Sequence, residues 1–388
     1  MVLEDEKIGE IIDQQDNNAV VTLSINSGTD IEIFQLNGQT IKIMENKKAV
    51  LEIKTSNVTY KLPAAQINID NILAQIGNQV ELKDITINVQ VSSPPSDTVR
   101  MIEDIASKNS YQVVIEPLEF KIICTSGNRS MEISEFNGYV ERMIALPDDI
   151  DPEKITTGIV LNPDGTVTHV PTLIMVVDGK NYVKINSLTN STYSAIWNPR
   201  SFDDVAFHWA KNDINDMGSR LIIDGVGEGN FEPDRDITRA EFTAIIIKAL
   251  GLMRTGTGKS AFDDTAKDAW YYDAVSIACQ YGIISGYGNG TFKAMDKITR
   301  EQSISMIARA MEITGLKAEL EDSEADKLLM VFGDSEQAAS WSKENIASCI
   351  KTEIISGRSE KVLAPVDNIT RAEAAVMVRR LLQKSKLI

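Results

Sequence analysis

Three indoles and three guanidinium groups recur at fixed offsets in the second half of the chain. Trp209, Trp270 and Trp341 each precede an arginine (Arg239, Arg300 and Arg371) by 30 residues. Gly225, Gly286 and Gly357 precede the same arginines by 14, and an aromatic-x-Asp pair opens each unit at Phe202/Asp204, Phe262/Asp264 and Phe332/Asp334. An indole stacks on a pyranose face, a guanidinium takes a carboxylate or phosphate through a two-bond fork, and a carboxylate takes hydroxyls. That combination is what a sugar site needs. Each residue also has a structural explanation that the spacing leaves open: the tryptophan as a core aromatic, the arginine as the ion-pair partner of a local aspartate.

The elements that carry these residues are legible around them. After each Trp an amphipathic stretch ends in a glycine, as in Leu221-Ile222-Ile223-Asp224-Gly225, which predicts a helix and its C-cap. A Gly-rich turn follows, Gly286-Tyr287-Gly288-Asn289-Gly290 in unit two. A second helix then starts at Thr238-x-x-Glu241, Thr299-x-x-Gln302 and Thr370-x-x-Glu373, each a capping box. Its apolar stripe is Ile245, Ile246, Ala249 and Leu250, matched by Met306, Ile307, Ala310 and Met311, then Met377, Val378, Leu381 and Leu382. A helix pair of this size buries little alone, so the units must pack on one another. The capping box explains Thr and Glu but not Arg. At the first helical position a cation faces the positive end of the helix dipole, a penalty of about 0.3–1 kcal/mol, and an anion at the helix N-terminus would offset it.

These residues resemble the S-layer homology module of bacterial surface proteins: the family pattern of F-x-D, W, "GII-x-G-Y-x-x-G-x-F" and "ITRAE" is met in unit two by FDD, W, GIISGYGNGTF and ITREQ. Three units cover about 201–388. The resemblance implies a pseudo-threefold helical bundle whose inter-unit grooves bind secondary cell-wall polysaccharide through an acidic, pyruvylated amino sugar. It also implies that Asp204, Trp209, Gly225 and Arg239 line the groove of unit one. Asp264, Trp270, Gly286, Tyr287 and Arg300 would line that of unit two, and Asp334, Trp341, Gly357 and Arg371 that of unit three. Unit one has Val226 for the loop aromatic, and unit three reads Gly357-Arg358-Ser359-Glu360-Lys361-Val362-Leu363, without aromatics or the later glycine. Arg300 is therefore expected to matter most for the ligand and little for folding. The resemblance places the chain outside the cell, at the wall or S-layer, as the C-terminal part of a longer exported protein, with other surface-layer proteins as further partners.

Composition agrees with a binding role and excludes others. Lys plus Arg is 39 against 56 Asp plus Glu, a net charge of −17, which opposes nucleic acid and anionic lipid as partners. No apolar run is long enough to span a membrane. Cys124, Cys279 and Cys349 read as small core residues, and His169 and His208 are too few for a triad or a histidine metal site. Gly256-Thr257-Gly258-Lys259-Ser260 imitates a P-loop, but Met253 stands where its first glycine belongs. The chain is expected to be non-catalytic, without cofactor or metal. A surface scaffold using the units for protein assembly is the alternative, and a hydrolase hidden in the first half is a third.

The first 200 residues show no such repeat. The acidic start at 1–6 lacks the basic and apolar parts of a signal peptide. Alternating or β-branched runs at 19–25, 49–62, 80–91, 112–123 and 172–185 predict strands, Asp164-Gly165 and Asp178-Gly179 predict hairpin turns, and 96–107 predicts one short helix. The expected class is α+β multidomain: an antiparallel β-sandwich-like module at 1–146, a small β module with linker at 147–200, then an all-α pseudo-threefold bundle of units at 201–260, 261–330 and 331–388.

Overall fold

The computed structural model describes residues 12, 17–25, 30–77, 80–258 and 260–388. The acidic start at 1–6 and Lys259 of the P-loop-like stretch lie outside them. The chain divides into two compact units, one built mainly from the first 197 residues and one from residue 198 onward with 168–171.

The first unit is a pair of β-sheets. One runs, in spatial order, Val20–Ser24, Val50–Lys54, Val58–Pro63, Glu135–Ala145, Lys180–Thr189 and Thr172–Val177, antiparallel except for the first pair. The other includes Thr157–Leu161, Thr192–Trp197, Gln112–Ser126, Thr86–Ser92 and Ile31–Asn37, all antiparallel. Alternation explains the faces: Ile87, Val89 and Val91 of one strand are buried, with half-buried polar residues between them. The sheets meet through Tyr60, Phe120 and Tyr193, whose rings lie 4.5–5.1 Å from the guanidinium of the fully buried Arg142. Arg142 donates from its terminal nitrogens to Val140 O, Thr189 O and Asn190 Oδ1 at 2.6–3.0 Å, so neutral acceptors offset part of the cost of burying it, while its Nε–H finds no acceptor among the described residues.

Two expectations are corrected here. Strands from 147–197 are members of both sheets and pair with strands from 112–145, so the small module expected at 147–200 does not stand apart. Among the described residues three helices of eight or more residues, not one, decorate the sheets: α1 (Gly38–Asn46), α2 (Ile69–Ile76) and α3 (Ser96–Lys108). The two missed helices carry side-chain N-caps, Asn37 accepting from Thr40 N and Asn68 from Asn71 N, which were the available signals.

The second unit is helical: α4 (Lys211–Ser219), α5 (Arg239–Ala249), α6 (Tyr272–Gln280), α7 (Arg300–Thr314), α8 (Glu324–Leu329), α9 (Ser340–Lys351) and α10 (Arg371–Lys384). All three capping boxes form, and all twelve stripe residues named above are buried. A closed ring of backbone hydrogen bonds joins the repeats: Ile298 N to Ile237 O, Ile369 N to Ile298 O and Ile237 N to Ile369 O, at 3.1–3.2 Å. Three isoleucines from the Ile-Thr-Arg tripeptides, each fully buried, thus mark a pseudo-threefold axis.

Candidate functional site

The axis puts each arginine against the loop of the next repeat rather than its own. Arg239 of unit one donates from Nε to Phe292 O (3.0 Å) and from a terminal nitrogen to Ser285 O (3.4 Å), both in unit two. Arg300 of unit two donates to Ser356 O (2.6 Å) in unit three. Arg371 of unit three closes the circle, with Nε to Phe231 O and a terminal nitrogen to Asp224 O, both at 2.8 Å in unit one. Their rings of contact follow: Arg239 lies over Phe292 (4.6 Å) and Tyr287 (5.0 Å), and Arg371 over Phe231 (4.4 Å). The three arginines are only 5–7% exposed. They fasten one repeat to the next, so removing one must cost folding as well as any ligand.

The helix N-termini do not hold free N–H groups for an anion. The first amides of α5, α7 and α10 donate to Asp296 O, Asp367 O and Arg235 O of a neighbouring repeat, the second to Ala294 O, Pro365 O and Pro233 O, and the third to the capping threonine. Any anion must be held by side chains.

The opening aspartates are engaged by their own turns, although Asp204 and Asp264 are exposed and Asp334 is half-buried. Asp204 accepts from Phe231 N and Glu232 N, Asp264 from Phe292 N and Lys293 N, and Asp334 from Leu363 N and Ala364 N, at 2.6–3.0 Å. Each carboxylate braces the turn that its repeat presents. Burial works against ionisation of Asp334, yet those two N–H groups hold its carboxyl below the usual carboxylate range. The loop glycines are required sterically: a Cβ at Gly286 would meet Phe262 Cε1 and Thr291 O at 2.5 Å, and at Gly225 Asn230 O at 2.8 Å. Gly357 is hemmed in by Phe332 and Val362 in the same way.

The tryptophans settle their own alternative. Trp209, Trp270 and Trp341 are 66, 62 and 54% exposed, so they are not core residues. His208 donates to Asp234 and accepts from Ala210 N beside Trp209, a packing and capping role. Cys124 and Cys349 are buried, and burial pushes their thiols up to about 12, whereas Cys279 is half-buried.

Two grooves open between the repeats. One, of about 390 Å³, is lined by Arg239, Gly286, Tyr287, Gln302, Arg309 and Trp341. The other, of about 930 Å³, is lined by Trp209, Arg300, Gly357, Arg358, Glu373 and Asp234 among others. Each groove therefore combines an arginine from one repeat, a glycine loop from the next and a tryptophan from the third. The same rotation assigns Trp270 to the groove where Arg371 meets the Gly225 loop. This regroups the residues expected to act within single units, and it joins Arg239, not Arg300, to the aromatic loop of unit two. Gln302, Arg309, Arg358 and Glu373 also line these grooves, a role the sequence did not assign to them; Arg309 lies nine residues after Arg300, as Lys248 and Arg380 follow Arg239 and Arg371.

Residues 201–243, 261–302 and 331–375 match the family model of the S-layer homology domain. The second half of the chain is a tandem array of three S-layer homology domains. The chain is 33% identical over 203 residues to an amylopullulanase from Thermoanaerobacterium thermosulfurigenes, covering 52% of this chain and 10% of that protein. It is 36% identical over 186 residues to exoglucanase XynX of Acetivibrio thermocellus, covering 48% and 16%. It is 30% identical over 182 residues to the S-layer protein sap of Bacillus anthracis, covering 47% and 21%. The chain thus spans about a fifth or less of the length of these curated relatives. S-layer homology domains are binding modules, and they give this half of the chain a surface-anchoring or surface-layer role.

Proposed function

We propose that the S-layer homology array anchors the chain non-covalently to the bacterial cell wall by holding an acidic secondary cell-wall polysaccharide in the grooves between its units. The observation that carries this reading is the convergence, in one groove, of an exposed indole, a glycine turn and a buried arginine from three different repeats. The indole offers a face for a sugar ring, the turn leaves room for it, and the guanidinium supplies charge-assisted donors for an acidic substituent. A pyruvylated amino sugar has this chemistry: an apolar ring face and a carboxylate on one edge. The unit boundaries we propose are 201–260, 261–330 and 331–388, with the ligand sites spanning them. The chain acts as a binding module rather than a catalyst, outside the cell, and any catalytic activity of the whole protein resides elsewhere. Co-sedimentation of the chain with wall sacculi, before and after extraction of their polysaccharide, tests the reading. Equal binding to both would favour protein-to-protein assembly.

A further inference from the structure

The grooves at Arg239 and Arg300, and the matching junction at Arg371, have the same plan but different charge. At Arg371, Glu241 lies 3.6 Å from the guanidinium, and the neighbouring Lys248 is paired to Asp224 at 2.7 Å. At Arg300, Glu373 lies at 3.2 Å, and Arg358 holds the same carboxylate at 2.8 Å. At Arg239 the capping-box acid is replaced by an amide, Gln302, whose Oε1 accepts from the guanidinium at 3.3 Å. The acid of the neighbouring cation is replaced too: Arg309 donates to Ser285 Oγ (3.2 Å) and Ile283 O (3.4 Å), with Ser285 standing where unit one has Asp224. Among the described residues, no carboxylate is in ion-pair contact with Arg239 or Arg309, and Asp264 and Asp296 act on Arg239 only from a distance.

We propose that the groove of Arg239, Arg309, Gln302, Tyr287 and Trp341 is the acid-selective site of this chain, taking the carboxylate of an acidic sugar, and that Gln302 sets this selectivity. The inference rests on the wall-glycan reading above and adds which groove takes the acid and why. A guanidinium has five N–H donors, and Arg239 spends three of them on neutral acceptors, leaving two for a carboxylate. Burying that charge with no counter-ion is costly, and a ligand carboxylate offsets the cost. In the other two grooves an incoming carboxylate meets Glu241 or Glu373 already seated against the arginine, so like charges oppose it. Those grooves suit neutral portions of the polysaccharide.

Glutamine and glutamate have the same shape, so the test needs one charge. Glu already completes two of the three capping boxes, so Gln302→Glu preserves the fold. The full chain is titrated calorimetrically with the methyl glycoside of a pyruvylated amino sugar and with the same glycoside lacking the ketal, beside a thermal melt. The parent should prefer the acidic glycoside by roughly ten- to a hundredfold, with one tight equivalent. Gln302→Glu should abolish the preference. Gln302→Met, which removes the amide without adding charge, should keep most of it. A preference that survives Gln302→Glu, or several equivalent tight sites in the parent, overturns the inference while glycan binding stands. A parent that binds neither glycoside overturns the wall-glycan reading itself, and the inference with it.

Discussion

Arg371→Ala should destabilise the helical half rather than simply weaken a ligand. Its guanidinium joins the last repeat to the first through two bonds of 2.8 Å to backbone carbonyls, an ion pair to Glu241 and the face of Phe231. Charge-assisted bonds to buried carbonyls contribute about 1.5–3 kcal/mol each when lost, and a desolvated cation–π contact about 1–2 kcal/mol. These terms overlap, so a total of about 3–5 kcal/mol is expected. For a cooperative unit of about this size each kcal/mol moves the midpoint by roughly 2–4 °C, so the melt should fall on the order of 10 °C. Differential scanning calorimetry of the full chain reads this directly. Arg371→Lys should recover only part of the loss, because an ammonium cannot serve two carbonyls through a planar fork. A helical transition within a degree or two of the parent would refute the fastening role.

Two further outcomes follow from packing and charge. Gly286→Ala drives a Cβ into Phe262 and Thr291 O and should cost about 1–3 kcal/mol, lowering both the melt and the affinity for wall glycan; an unchanged melt would show that the turn gives way freely. His169 is fully buried, and burial pushes its imidazole down to about 3, so the folded chain keeps it neutral while the unfolded chain protonates it below about pH 6.5. Stability from this group is therefore lost as pH falls from about 6.5 towards 3, by about 2–3 kcal/mol at pH 4.5. Urea unfolding at pH 7 and 4.5 should show that loss shrink in His169→Gln, and an identical loss in the variant would contradict it.

What the sequence revealed was what adjacent residues determine. The capping boxes, the helix stripes and the recurrence of Trp, Gly and Arg are local patterns, and each is present as read. The partnerships were not legible, because they cross between repeats. Nothing within unit one indicates that Arg239 serves the turn of unit two, or that Trp341 of unit three stands beside it. The same non-locality hid the work of Asp204, Asp264 and Asp334: a carboxylate 27–30 residues before a turn reads equally well as a ligand group or as a brace for that turn. In the first half, 49–62 read as one run, although the four polar residues Lys54-Thr55-Ser56-Asn57 mark the turn that separates Val50–Lys54 from Val58–Pro63 and the apolar positions change phase across it. The run expected from residue 80 becomes a strand only at Thr86, after a short 3₁₀ turn at Leu82–Asp84. Helices α1 and α2, of 9 and 8 residues, are too short for a periodicity to declare itself against their β-branched neighbours.

The central claim is that the grooves of the three S-layer homology domains hold the polysaccharide of the wall. Co-sedimentation of the 388-residue chain with purified sacculi tests it most directly, with one sample intact, one stripped of secondary polysaccharide and one stripped only of its acidic substituent. The chain should pellet with the intact wall, remain in the supernatant with the stripped wall, and bind weakly where only the acid is gone. Equal pelleting with all three would contradict the claim.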